Sequence, residues 1–175
     1  MMKLLEKFYP DERRNSVYEI DFDSLYRKGI RGLIFDIDNT LVPHGASATE
    51  GIERLFNELK RMGFKTCLLS NNKLERVKRF NENIRSLYIY KAGKPGKANY
   101  IKAVRMMGTN KDNTLFIGDQ LFTDIWGAKK AGLKNILLNP IDKREEIQIV
   151  LKRFLEKIVL KAYESFLYTI NRSRD

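Results

Sequence analysis

Five short apolar runs, each followed by a stretch with helical spacing, set what the middle of this chain can fold into: Gly32 to Ile37, Lys65 to Ser70, Leu87 to Tyr90, Thr114 to Ile117 and Asn135 to Leu138. Runs of this length read as buried strands. The intervals carry amphipathic patterns from about Thr49 to Met62, Lys73 to Asn83, Lys97 to Met107 and Thr123 to Ala131. Strands that alternate with helices in this way predict an α/β fold, a parallel sheet joined by crossover helices. In such sheets ligands bind at the carboxyl ends of the strands. At 175 residues with 43% hydrophobic content, the chain can bury one full core, which predicts a single domain over residues 1–175.

The strand ends are where the chemistry lies. The first run closes on Asp36-Ile37-Asp38-Asn39-Thr40. Residues at i and i+2 of a strand face the same side, so Asp36 and Asp38 are predicted to share one crevice. Like charges held together ask for a cation, and the hard oxygen ligands point to Mg²⁺. The pair reads as nucleophile and proton donor. The second run ends in Ser70, whose hydroxyl can donate to a phosphoryl oxygen, followed by Asn71 and Asn72. The third leads into Lys91-Ala-Gly-Lys-Pro-Gly-Lys97, where Lys94 supplies a point charge and Lys97 is its rival. The fourth ends in Gly118-Asp119 and reaches Asp124, two more oxygen ligands.

These four segments resemble the motifs of the haloacid-dehalogenase-like phosphatases over roughly residues 30–140. The wording Asp36-Ile-Asp-Asn-Thr-Leu-Val42, Ser70-Asn-Asn72, Tyr90-Lys-Ala-x-Lys-Pro95 and Ile117-Gly-Asp-Gln-Leu-Phe-Thr-Asp124, with Lys7-Phe-Tyr-Pro-Asp11 before the first strand, is similar to subfamily IIIA, the YqeG-type proteins related to phosphatidylglycerophosphate phosphatases. The resemblance implies a three-layer Rossmann-like fold with a five-stranded sheet in the order 5-4-1-2-3. It implies that Asp36 is the nucleophile and Asp38 the general acid and base. Thr40, Ser70, Asn71 and Lys94 would then handle the substrate phosphate, with orienting the loop the rival role for Thr40 and capping the following helix the rival role for Asn71, and Asp36, the Asp38 carbonyl, Asp119 and Asp124 would hold Mg²⁺. Asp124 ligates directly or through water in this scheme; its rival role is to hold Lys94 in place. Both intervals where the family carries cap domains are filled by single helices, so the chain is expected to be capless, with an open site suited to a phosphate displayed on a lipid, a protein or a nucleic-acid end.

Charge bears on the partner. The chain carries 33 basic and 22 acidic residues, a formal charge of +11, which favours an anionic partner. Between Lys73 and Arg105 ten basic side chains face only Glu75 and Glu82. A solvated, solubilising face explains such a cluster equally well. Arg76, Arg79 and Lys102 are expected to dock an anionic phospholipid surface without taking part in phosphoryl transfer. No apolar run is long enough to span a bilayer, and the start lacks a signal peptide's apolar segment. The expected location is cytoplasmic, with peripheral attachment to the inner face of the membrane. Lone Cys67 reads as a core residue, His44 as an exposed loop residue and Trp126 as helix packing. Both chain ends read as helical extensions. In the second, Ile147, Leu151, Phe154, Ile158, Ala162 and Phe166 form a stripe among Lys152, Arg153, Lys157 and Lys161. Packing on the sheet or on another subunit is the favoured reading of that stripe; lying in a membrane interface is the other, and Leu4, Leu5 and Phe8 are open to the same two readings.

The leading expectation is a Mg²⁺-dependent phosphomonoesterase acting on phosphatidylglycerophosphate through an aspartyl-phosphate. Its rivals are a nucleic-acid or protein phosphatase and a non-catalytic adaptor that binds RNA or membranes.

Overall fold

The computed structural model describes residues 5–142 and 147–172, and in the final helix the side chains of residues 155–166 and 168. Strand β1 (Glu12–Arg14) and helix α1 (Phe22–Arg27) precede the alternating units. These run β2 (Gly32–Phe35), α2 (Glu50–Arg61), β3 (Lys65–Leu69), α3 (Leu74–Asn81), β4 (Leu87–Ile89), α4 (Ala98–Met106) and β5 (Thr114–Gly118). A π-helical turn (Leu121–Ile125), α5 (Trp126–Lys130), β6 (Lys134–Leu138) and α6 (Ile147–Arg172) complete the chain.

All strand pairs are parallel. Gly32 of β2 lies opposite Lys65 of β3 on one side and Thr114 of β5 on the other. Leu87 pairs Cys67, and Lys134 pairs Leu115. The order β6-β5-β2-β3-β4 is the expected 5-4-1-2-3, but the sheet has six strands, not five. The extra strand is β1, whose Glu12 pairs Ile136 of β6. Its Glu-Arg-Arg sequence shows no apolar alternation because it is an edge strand, where charge is normal and only the backbone need pair.

The pleat divides the core into two layers around the sheet. Leu33 and Phe35 face Ile52, Phe56, Leu59, Val77 and Phe80 of α2 and α3. Ile34 and Phe116 face Tyr100, Ala103 and Val104 of α4 and Ala128 of α5. Cys67 is fully buried in that second layer, and burial pushes its thiol up to about 12. Each position where a cap would be inserted carries one helix only, α2 between β2 and β3 and α3 between β3 and β4.

The chain ends depart from expectation. Instead of a helical extension, residues 5–30 hold the 3₁₀ turns Glu6–Phe8 and Val17–Glu19, β1 and α1. At the other end α6 does pack on the core, but through a face turned from the expected one: Glu156, Val159 and Tyr163 are buried while Ile158 is 51% exposed. Val159 and Tyr163 join Tyr9, Leu121, Ile125 and Leu137 in a third cluster, with Leu5, Phe8 and Phe166 at its margin. Leu4 and the side chains of Ile147, Leu151, Lys152, Arg153 and Phe154 lie outside the described residues. Among the described residues no helix is long and apolar enough to cross a membrane.

Candidate active site

Three adjacent strands, β3, β2 and β5, end side by side, and the chain leaving each one supplies part of a single polar cluster. Asp36 follows β2 directly, fixed by its N–H donating to the Ile117 carbonyl at 2.9 Å. Asn39 then takes a positive φ of 63°, a left-handed conformation that asparagine tolerates better than most residues. This tight turn returns Thr40 beneath the cluster, where its Oγ1 lies 3.1 Å from both Asp36 Oδ2 and Asp119 Oδ1. Ser70 at the end of β3 is buried, and its Oγ accepts from the Asn72 N–H at 3.2 Å.

Lys94 reaches in from the loop after β4. Its Nζ donates to Asp36 Oδ1 at 2.5 Å and to Asp124 Oδ1 at 2.7 Å. Lys97 is exposed at the start of α4, so Lys94 is the lysine the loop delivers. The loop is gripped by Asn71: Lys94 N–H donates to Asn71 Oδ1 at 2.8 Å, and Asn71 Nδ2 donates to the Lys94 carbonyl at 3.2 Å. Asn71 therefore spends its amide on the Lys94 backbone and not on a phosphate as expected.

Asp124 Oδ2 accepts the backbone N–H groups of Asp119 and Gln120, each at 3.1 Å, so both of its oxygens are engaged. This close approach dictates Gly118, since a Cβ there would stand 2.6 Å from Asp124 Oδ2. Tyr100, buried under the π-helical turn, donates to the carbonyls of Thr123 and Asp124 at 3.0 and 3.2 Å. Glu156 of α6 accepts the Leu121 N–H at 2.8 Å and ties that turn to the C-terminal helix. π-helical turns are common where a helix must aim a functional group.

Burial dominates the electrostatics. It pushes the Asp36 carboxyl up to about 6, with Lys94 pulling down and Asp124 pushing up. For Lys94, burial works to lower the ammonium, and the carboxylates of Asp124 and Asp36 more than reverse it, so the side chain stays charged. Oxygens of Asp36, Asp119 and Asp124 lie within 4.8 Å of one another, and the Lys94 ammonium bridges Asp36 and Asp124. Three hard, buried oxygen donors of this kind fit a small divalent cation such as Mg²⁺. Asp36 and Asp119 suit direct ligation, and Asp124, whose two oxygens already accept three donors, suits contact through a water.

Asp38 sits beside this cluster in a clamp. Its Oδ1 accepts Gly45 N–H at 2.7 Å and Arg76 Nη2 at 2.9 Å, and its Oδ2 accepts Asn72 Nδ2 at 2.6 Å. Arg76 was expected on the docking surface, yet its side chain is only 11% exposed and belongs to the site. Arg79 and Lys102 are exposed as expected, although Arg79 Nη2 also donates to the Gly45 carbonyl at 3.0 Å. His44 is 64% exposed with Nδ1 3.9 Å from Asp38 Oδ1. Trp126 packs on Phe8, ring centroids 5.4 Å apart. Sequence patterns missed Asn72, Arg76, Tyr100 and Glu156. The only linear signal was Arg76 one helical turn beyond Asn72.

The family model for haloacid dehalogenase-like hydrolases matches residues 44–132, which include Ser70, Lys94, Asp119 and Asp124. A protein of Bacillus subtilis (strain 168) named "Probable phosphatase YqeG" is 36% identical over 161 residues, 91% of this chain and 94% of its own length. Phosphatidylglycerophosphate phosphatase 1, chloroplastic/mitochondrial, of Arabidopsis thaliana is 27% identical over 157 residues, and the match spans 82% of this chain but only 44% of that protein. Among solved structures, the cobalt-bound deoxy-D-mannose-octulosonate 8-phosphate phosphatase of Haemophilus influenzae shares the fold with a TM-score of 0.50 at 14% identity, over 77% of this chain and 90% of that one.

Proposed function

The chain belongs to the haloacid dehalogenase-like hydrolases, and on that premise we propose that it is a Mg²⁺-dependent phosphomonoesterase that forms an aspartyl-phosphate on Asp36. The observation that carries the reading is the buried bridge from Lys94 to Asp36 and Asp124, with Asp119 and Thr40 beside it at the ends of β2 and β5. A fixed ammonium next to a nucleophilic carboxylate is what a transferring phosphoryl group needs, because its charge stays on peripheral oxygens throughout an open transition state.

In this mechanism Asp36 attacks phosphorus in line, splitting a difficult displacement into two easier ones. Asp38 gives a proton to the departing alkoxide and afterwards takes one from the water that hydrolyses the intermediate. Lys94 and Ser70 hold phosphoryl oxygens, Asn71 fixes the Lys94 backbone, and Thr40 orients Asp36 and Asp119. Asp36, Asp119 and the Asp38 carbonyl, with Asp124 behind a water, would hold Mg²⁺, which supplies positive charge to the phosphoryl oxygens when bound.

Phosphatidylglycerophosphate is the substrate we favour. Supporting it are the distant relationship to the Arabidopsis enzyme, the single helices where a lid would be inserted, and the basic excess between Lys73 and Arg105. The purified protein, assayed against phospholipid, nucleotide and phosphopeptide monoesters, should release phosphate fastest from the lipid. The Asp36→Asn protein should keep its fold and lose turnover, and only the unsubstituted protein should bind beryllium fluoride at residue 36. Retained activity in Asp36→Asn would sink the covalent mechanism.

A further inference from the structure

Among the described residues, Tyr100 of α4 is the largest side chain that is fully buried, and its single polar atom serves main chain. The hydroxyl lies 3.0 Å from the Thr123 carbonyl and 3.2 Å from the Asp124 carbonyl, and it donates to that pair of neighbouring acceptors. Both carbonyls belong to the π-helical turn, where the Gln120 carbonyl accepts the Asp124 N–H at 2.9 Å and the Ile125 N–H at 3.1 Å. Turns of this register are rare and recur at functional sites.

Gly127 is a second, independent sign that this contact is built in. It sits in α5 without a positive φ, in a backbone conformation where alanine is more favourable than glycine. A Cβ on residue 127 would stand 2.6 Å from Tyr100 Cζ, 2.7 Å from Cε2 and nearer still to the hydroxyl. Glycine is there because the phenol fills that space. The ring of Tyr100 also packs on Phe116 of β5, centroids 5.0 Å apart, and Lys94 Nζ lies 5.9 Å from the Phe116 centroid. The layer that holds Tyr100 therefore also backs the ammonium.

What the turn carries is Asp124, whose Oδ1 accepts from Lys94 and whose Oδ2 accepts from the Asp119 and Gln120 N–H groups. Asp36 and Asp119, by contrast, follow β2 and β5 directly, so a change in the turn displaces Asp124 against them. Resting on the Mg²⁺-dependent reading above, we propose that Tyr100 is a positioning residue for the metal site: its hydroxyl, admitted by Gly127, fixes the turn and with it the place of Asp124 beside Asp36 and Asp119, and so sets the affinity for Mg²⁺. Groups that orient metal ligands change affinity about 10–100-fold when they are removed, and Tyr100, acting through main chain, belongs at the lower end of that range.

The test is calorimetric titration of the full chain with Mg²⁺ at pH 7 and no substrate, so that turnover plays no part, with urea unfolding of each protein beside it. Tyr100→Phe removes one oxygen and should weaken Mg²⁺ binding about tenfold. Val104→Ala, one helical turn along α4 in the same core layer, should lower stability at least as much yet change Mg²⁺ affinity less than about twofold. Gly127→Ala, which drives a methyl group into the phenol, should lose both stability and affinity. Tyr100→Leu combined with Gly127→Ala relieves that collision without restoring a hydroxyl. Its urea midpoint should rise above that of Gly127→Ala while Mg²⁺ binding stays about tenfold weak, and this pair decides the question even where Tyr100→Phe does not fold. Joint recovery of stability and affinity in the pair, an unchanged affinity in Tyr100→Phe, or an equal loss in Val104→Ala would overturn the role of Tyr100 and leave the metal site standing. An unsubstituted protein that binds no Mg²⁺ would overturn the metal reading itself, and this inference with it.

Discussion

Replacing Lys94 by methionine keeps the length of the side chain and removes its charge, which isolates the ammonium's contribution. Nζ is 4% exposed as part of its side chain and sits 2.5 and 2.7 Å from carboxylates whose side chains are 10% and 1% exposed. Without it, two buried carboxylates face each other with no cation between them. Removing one partner of a buried pair costs about 3–5 kcal/mol. At roughly 2–4 °C per kcal/mol for a chain of this size, Tm should fall by about 10 °C. Two internal checks follow from the same physics. Asp36 already titrates above the unfolded carboxylate value because of burial, so the folded protein binds the extra proton between about pH 4 and 6. Stability of Lys94→Met should therefore rise as pH falls from 7 towards 5. Adding Asp124→Asn should recover part of the loss, because the two sites share one interaction. Urea unfolding at pH 5 and 7 for the single and double variants measures all three quantities. A loss under about 1 kcal/mol at pH 7, or a single variant that weakens on acidification, would refute the view that a charge pair holds this site together.

Calorimetric Mg²⁺ titration should show affinity falling up to about tenfold per pH unit below pH 6, where protons compete for Asp36; a flat profile from pH 5 to 7 would exclude Asp36 as a ligand. Glu156→Ala should leave the Leu121 N–H without its acceptor, costing about 1–3 kcal/mol in chemical unfolding and weakening Mg²⁺ binding through the loosened turn. Unchanged stability there would mean α6 does not brace the site. Vesicles containing acidic lipid should bind the protein in a salt-sensitive way, and Lys102→Glu with Arg105→Glu, both exposed on α4, should weaken that binding without slowing hydrolysis of a soluble monoester. Salt-insensitive or absent binding would turn attention to a nucleic-acid or phosphoprotein substrate.

The sequence by itself determined the features that rest on local periodicity. Leu33, Ile34 and Phe35 form a continuous apolar run because β2 is covered on both faces, and that pattern is visible without knowing what covers it. Asp36, Ser70, Lys94, Asp119 and Asp124 were legible for the same reason, since each follows a strand and parallel strands bring their carboxyl ends together. Tertiary structure alone decided the rest. β1 has no apolar signature, and only the unpaired edge of β6 selects it as a strand. The buried face of α6 was misjudged because Val159 and Ile158 are equally apolar, and the choice between them belongs to Tyr9 and Leu137 on the far side of the contact. Arg76 reads as a surface charge and Glu156 carries no signal at all, because charge in a sequence says nothing of its partner; 38 residues separate Arg76 from Asp38, and 35 separate Glu156 from Leu121. A buried charge is placed by the group it answers, and that group is set by the fold.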